Sequence, residues 1–177
     1  VTSVTDPLGN VTAYTYDALG YRLIETDANG STTTFSYDLL DRLVSATDAK
    51  GNAETFQYDA NGNLIAETDA QGNSRTQSYD AYNRLTQVTD PLGNVTKHTY
   101  DRRDNLITTT DANGNTTAYT YDILDRLLLE TDALGDQVNF TYDAAGNLLT
   151  VTDGNGNVTN FTYDAVSRVV AETHADG

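Results

Sequence analysis

The chain has 177 residues, with 26 Asp and Glu against 10 Lys and Arg, a formal charge of −16, and no Cys, Met or Trp. Such a surface repels nucleic acid and anionic lipid, the missing cysteine excludes disulfides and thiolate chemistry, and no apolar run is long enough for a membrane-spanning helix. Asp, Asn and Gly supply turn formers, while Thr, Tyr, Val and Phe favour strands.

Val1-Thr2-Ser3-Val4-Thr5 reads as the end of a strand and shows no signal-peptide pattern. A turn, Asp6-Pro7-Leu8-Gly9, follows it, and a strand then runs to Tyr16. A second turn, Asp17-Ala18-Leu19-Gly20, leads into another strand that ends at Thr26. From there the pattern recurs every 21 residues. Tyr-Asp pairs begin at Tyr16, Tyr37, Tyr58, Tyr79, Tyr100, Tyr121, Tyr142 and Tyr163. Glycine keeps the same step at Gly9, Gly30, Gly51, Gly72, Gly93, Gly114, Gly135, Gly156 and Gly177. A period this strict means one supersecondary unit copied in tandem, about eight times, over residues 1–177. Both ends fall inside a unit (Ala175-Asp176-Gly177 opens another), so the sequence reads as a fragment of a longer array.

One copy, Asp111 to Thr131, shows the local logic: DANGNTTAYTYDILDRLLLET. In the first turn Asp can accept from the backbone two residues on, the second position tolerates Pro, and the fourth is always Gly, which suits φ > 0. A type I turn followed by a left-handed residue closes a hairpin. The turn after each tyrosine has Gly20, Asp41, Gly62, Asn83, Asp104, Asp125, Gly146 and Ser167 at that fourth position, all but the serine well suited to a left-handed conformation. The predicted strands are Asn115–Tyr121 and Arg126–Thr131. Two residues before each tyrosine stand Tyr14, Phe35, Phe56, Gln77, His98, Tyr119, Phe140 and Phe161, which form an aromatic ladder with the tyrosines on one face. The second strand carries Leu43, Leu64, Leu85, Leu106, Leu127, Leu148 and Val169, each often followed by another apolar residue. Alternation would put those neighbours on the opposite face.

The sequence therefore predicts an all-β antiparallel meander, about two strands per repeat, whose twist curls it into a bent or spiralling sheet. Tyrosine and leucine ladders would be buried on its concave side or between layers, each residue contributing roughly 1.5–3 kcal/mol. The rival geometry is a compact solenoid of parallel coils, against which two hairpin turns per unit argue. Gln77 and His98 interrupt the aromatic ladder, so packing is expected to loosen there. Tyr21 and Arg22 break the pattern of the first copy and suggest a local bulge, and His174 replaces a turn aspartate.

Tyr-Asp, a two-residue gap, Gly/Asp/Asn, then Arg or Asn and Leu, then Thr-Asp-x-x-Gly-Asn, resembles the YD repeat of the Rhs (rearrangement hotspot) family. Matching copies are YDLLDRLVSATDAKGN from Tyr37 and YDAAGNLLTVTDGNGN from Tyr142. Family members include bacterial polymorphic toxins, wall-associated proteins, the shell of insecticidal toxin complexes, and teneurins. The resemblance implies a structural, shell-forming segment of a secreted or surface bacterial protein, whose partners are the remaining repeats and a core and toxin domain that the shell would enclose or present. The sequence lacks anything like that core or toxin.

As sites, the repeated Tyr-Asp pairs predict structure rather than catalysis, because a catalytic carboxylate needs one unlike pocket. No enzyme activity, cofactor or resident metal is expected. Asp27-Ala28-Asn29-Gly30-Ser31, Asp111 to Asn115 and Asp153 to Asn157 place oxygens at alternate positions, but the glycine and the acidic residue of a calcium loop are misplaced. The alternative is a carbohydrate-binding or adhesive module, Ca-assisted or not, in which Tyr rings beside Asn, Asp and Arg would stack on a glycan. Unpaired sheet edges also predict self-association.

Overall fold

The computed structural model describes residues 2–174, so Gly177 and the turn predicted to open at Ala175 lie outside the described residues. Among the described residues every regular element is a β-strand, and the chain divides into two compact units that meet in sequence at Asn94 and Val95. The first unit holds β1 (Thr2–Thr5), β2 (Val11–Tyr16), β3 (Arg22–Thr26), β4 (Thr32–Tyr37), β5 (Leu43–Thr47), β6 (Ala53–Tyr58), β7 (Leu64–Thr68), β8 (Ser74–Tyr79) and β9 (Leu85–Thr89). The second holds β10 (Val95–Tyr100), β11 (Leu106–Thr110), β12 (Thr116–Tyr121), β13 (Leu127–Thr131), β14 (Gln137–Tyr142), β15 (Leu148–Thr152), β16 (Val158–Tyr163) and β17 (Val169–Thr173).

Within each unit consecutive strands pair antiparallel, as in β4 with β5 through Thr34 and Thr47, and β13 with β14 through Leu129 and Asn139. The meander prediction holds, and among the described residues the parallel pairing a solenoid needs does not occur. Strand boundaries differ from the predicted ones by a single residue, since Asn115 and Arg126 belong to the corners.

The corners explain the period. In the first kind, Asp48 N–H donates to the Asn52 carbonyl (2.9 Å) and Gly51 N–H to the Asp48 carbonyl (3.0 Å). The second kind is built alike: Asp38 N–H donates to the Arg42 carbonyl (2.9 Å) and Asp41 N–H to the Asp38 carbonyl (3.1 Å). Each is a type I turn closed by a left-handed residue. Gly9, Gly30, Gly51, Gly72, Gly93, Gly114, Gly135 and Gly156 hold φ between 81° and 90°. Asp41, Asn83, Asp104, Asp125 and Ser167 take the same region at 60–70°, the serine included.

Two expectations fail. No described residue is fully buried, and the tyrosine and leucine ladders are mostly half-buried. The reason is topological: within each unit a strand packs only against its sequence neighbours, so no second layer covers either face. The neighbouring apolar residues do not sit on the opposite face either. Each tyrosine pairs with the start of the next strand across a register shift, as Tyr121 with Leu127 beside Thr120 with Leu129. That bulge sets two residues, Leu127 and Leu128, against one tyrosine and resets the alternation. Ile107 accordingly lines the same hollow as Tyr119 and Tyr121. The opposite face is mainly Thr, Ser, Ala, Asn and Gln, with hydroxyl contacts such as Thr110 to Thr116 (2.8 Å) and Thr141 to Thr150 (2.6 Å).

The first copy has its bulge, as every copy does, between Thr15 and Tyr16. Gln77 and His98 leave the register undisturbed, with Gln77 opposite Val88 and His98 opposite Thr109.

Candidate functional site

The chemistry-bearing groups lie at the corners and on the aromatic face. Within the Thr-Asp corner the aspartate is saturated locally. Asp48 Oδ1 accepts from the N–H of Lys50 (2.8 Å) and of Asn52 (2.9 Å), and Oδ2 accepts from Asn52 Nδ2 (2.8 Å). The same ring recurs at Asp6, Asp69, Asp90, Asp111 and Asp153 with Asn10, Asn73, Asn94, Asn115 and Asn157. Asp27 Oδ1 likewise accepts from Asn29 and Ser31 N–H (2.9 and 2.8 Å). Corner closure thus accounts for the Asp-x-Asn-Gly pattern that a calcium reading would recruit. Among the described residues no three acidic, His or Cys side chains converge to hold a metal ion.

The Tyr-Asp corner closes the same way but reaches further. Asp38 takes Arg42 Nε on Oδ2 (2.8 Å), and the guanidinium then extends Nη1 to the carbonyl of Asp59 in the next repeat (3.0 Å) while lying 4.7 Å from the Tyr58 ring centroid. Arg126 repeats this on Asp143 (3.0 Å) and Tyr142 (4.8 Å). In the first copy Arg22 sits in the leucine slot, yet it stacks 4.2 Å from the Phe35 centroid and pairs with Glu25 at 2.7 Å. Arg168, bound to Asp164 alone, stays 78% exposed.

The tyrosines of the Tyr-Asp pairs, all at strand ends, have a role that spacing did not reveal. Tyr37, Tyr58, Tyr79 and Tyr121 donate their hydroxyls to the carbonyls of Arg22, Leu43, Leu64 and Leu106, each 15 residues earlier, at 2.9–3.0 Å. The accepting carbonyl belongs to the bulged end of the preceding strand, so the ring covers the irregularity and caps it. Burial, with the neighbouring Tyr119 next in weight, pushes the Tyr121 hydroxyl above its ordinary value.

The carboxylates respond to these bonds. The Asn52 side chain above all holds Asp48 below the ordinary aspartate range, and the Arg42 side chain does the same for Asp38. Asp6, Asp59, Asp69, Asp101, Asp111, Asp143 and Asp153 are lowered chiefly by the corresponding asparagine. A general acid or base working near neutrality needs the opposite displacement.

The tyrosine face is neither covered nor flat. Tyr14 and Tyr16 stand 6.4 Å apart, with Tyr16 44% exposed. A hollow of about 500 Å³ opens among Asp101, Arg103, Ile107, Tyr119, Tyr121 and Ile123.

Comparison with known proteins agrees with this architecture. The RHS repeat family model matches residues 1–24, 22–53, 58–99, 100–137 and 142–177. No curated protein matches the chain. Among solved structures, a TcdB2-TccC3 complex with Cdc42 aligns over 91% of this chain at 22% identity and a TM-score of 0.73. TcdB2-TccC3 itself aligns over 97% at 19% identity and 0.69, and a mutant Tc holotoxin pore of Photorhabdus luminescens over 91% at 21% and 0.71. These alignments occupy only 10–11% of the larger chains, and at such identity they establish a shared fold. From the in-phase corners and the matches along nearly its whole length, the chain belongs to the RHS repeat family.

Proposed function

We propose that this chain is a wall segment of a shell in a secreted or surface-delivered bacterial protein, where it encloses or presents a toxin domain and has no catalytic site of its own. One observation carries the reading. Each repeat directs its strongest polar groups into closing its own corner or gripping the next one, as Arg42 does on Asp59. The side chains that recur most strictly therefore build a continuous sheet. The fold shared with TcdB2-TccC3 over 91–97% of the chain supports the same reading. Its partners are further repeats of the parent protein, together with the core and cargo domain those repeats surround. Strands β1 and β17 are exposed throughout and offer the edges on which further strands, or a second copy, would add. The test is limited proteolysis of the parent protein with and without these repeats. Cargo protected only when the wall is intact supports the proposal, and cargo equally resistant after their deletion refutes it.

A second reading, glycan binding, draws support from the hollow beside Tyr119 and Tyr121, where two half-buried rings adjoin Asp101 and Arg103. A glycan array followed by calorimetry with and without Ca²⁺ tests it. Micromolar binding abolished by Tyr119→Ala would establish it, and an array with no hits would dismiss it.

A further inference from the structure

From the second repeat on, the residue that closes each Tyr-Asp corner alternates without exception: Arg42, Asn63, Arg84, Asn105, Arg126, Asn147, Arg168. The left-handed position just before it follows a related rule. Each corner that comes after an asparagine corner carries a side-chain oxygen there (Asn83, Asp125, Ser167), whereas the corners after arginine hold Gly62, Asp104 and Gly146. Backbone conformation alone would favour glycine at all of them. After an asparagine corner something else selects the oxygen.

The junctions show what it is. At two junctions an arginine reaches past the left-handed position of the next corner. Arg42 and Arg126 bind the Asp59 and Asp143 carbonyls and lie over the Tyr58 and Tyr142 rings, targets that exist whatever the left-handed residue is. Glycine fits there, and a Cβ placed on Gly62 would come 4.0 Å from Arg42 Nη1. Asparagine is shorter, and at two of its three junctions it reaches a side-chain acceptor, whereas Asn147 binds only its own Asp143. Asn63 Nδ2 donates both to its own Asp59 Oδ2 (2.9 Å) and to Asn83 Oδ1 in the following corner (2.9 Å), and Asn61 joins it on the same oxygen (3.0 Å). Asn105 Nδ2 reaches Asp125 Oδ1 at 2.7 Å, helped by Arg103 at 3.4 Å.

We infer that the Tyr-Asp corners carry a directional pairing code: an asparagine corner is matched to a successor with an oxygen-bearing side chain at its left-handed position, whereas an arginine corner also accepts glycine there. Asparagine and arginine repeats are then not interchangeable 21-residue units. This goes beyond the shell proposal and holds whatever the shell contains. It predicts which repeat surface fits which neighbour when repeats are shuffled.

The test exploits the sign of a glycine substitution. Asp41 has φ 62°, the same as Asn83, but it follows the Tyr21 corner and its side chain makes no hydrogen bond. Native-state hydrogen exchange is read at the corner amides of Asp38 and Asp41 in Asp41→Gly, and of Asp80 and Asn83 in Asn83→Gly and Asn83→Asp. Loss of the bridge should speed exchange about fivefold or more in Asn83→Gly, while Asp41→Gly leaves its corner unchanged or slower and Asn83→Asp, which keeps the acceptor, stays near wild type. Asn63→Ala combined with Asn83→Gly should have less than the sum of the two single effects, because they share one bond. Equal effects of the two glycine substitutions, or an Asn83→Asp as damaging as Asn83→Gly, would overturn the code.

Discussion

The two corners of each repeat share one backbone design and differ in reach. The Thr-Asp corner is self-sufficient: Asp48, Gly51 and Asn52 satisfy one another, and the glycine is kept in every described copy. The Tyr-Asp corner is relational. The Tyr58 hydroxyl looks back 15 residues to the preceding repeat, Arg42 and Asn63 look forward to the next corner, and the left-handed Asn83 serves its neighbour as well as its turn. Cohesion in a single-layer sheet has to come from somewhere other than a buried core, and the contrast locates much of it along the Tyr-Asp rim. The two faces of the sheet echo this asymmetry, one with rings and leucines, the other with short hydroxyl side chains.

The largest expected effect is at the relational corner. Tyr58→Ala removes a half-buried ring, the Arg42 stacking and the bond to the Leu43 carbonyl, and should destabilise by about 3 kcal/mol. Thr47→Ala, at the equivalent place before Asp48, should cost less than about 1 kcal/mol, and urea titration of both variants would expose a false contrast if the two shifts matched. Next comes the self-sufficient corner's glycine. Gly51→Ala, at φ 88°, should cost about 1–2 kcal/mol through left-handed strain alone, measured by the same titration. Tyr58→Phe, which deletes only the hydroxyl, should cost about 1 kcal/mol; a neutral result would remove the cap on the bulge from the account.

Acid affects both corners together. The folded carboxyls of Asp38 and Asp48 lie below their unfolded value, about 3.9, so the unfolded chain binds protons first. Their stabilisation is present above that value and is lost as pH falls through the lower folded one. Circular dichroism should therefore hold steady to about pH 4 and decline below it. Salt at neutral pH should weaken the Arg42–Asp38 corner and spare the Asn52–Asp48 one, which exchange at the two sites would distinguish. The smallest effect is a gain. Asp136 occupies the asparagine slot of its corner and donates only its N–H to Asp132 Oδ1, so Asp136→Asn should stabilise by about 0.5 kcal/mol.

The order of strands and both corner types were legible because they depend on spacing inside one repeat. Asp at the first position, Gly or Asx at the fourth and a six-residue strand are local facts, and even Ser167 follows the rule that its position imposed. What escaped depends on register between repeats. The bulge opposite Tyr121 is invisible to a period-two count, so Leu128 was placed on the wrong face. The tyrosine hydroxyl bond spans 15 residues, a distance set by pairing rather than by sequence pattern. The strict alternation of Arg42, Asn63 and their successors was present to be read, but its meaning needed the next corner beside it. Burial was overestimated because a ladder of rings suggests a second layer that neither unit contains.

Cysteine cross-linking tests the reversal of the chain at both corners most directly, in a chain that has no native cysteine. Thr99 and Thr108 face each other across a Tyr-Asp corner with hydroxyls 2.5 Å apart, and Thr110 and Thr116 across a Thr-Asp corner at 2.8 Å. Thr99→Cys with Thr108→Cys, and Thr110→Cys with Thr116→Cys, should each oxidise readily to an intramolecular disulfide. Thr99→Cys with Thr120→Cys, one full repeat apart and two strands distant at about 10 Å, should not. Rapid bridging of that last pair, with the first two left reduced, would mean that equivalent positions stack as parallel coils and would contradict the account.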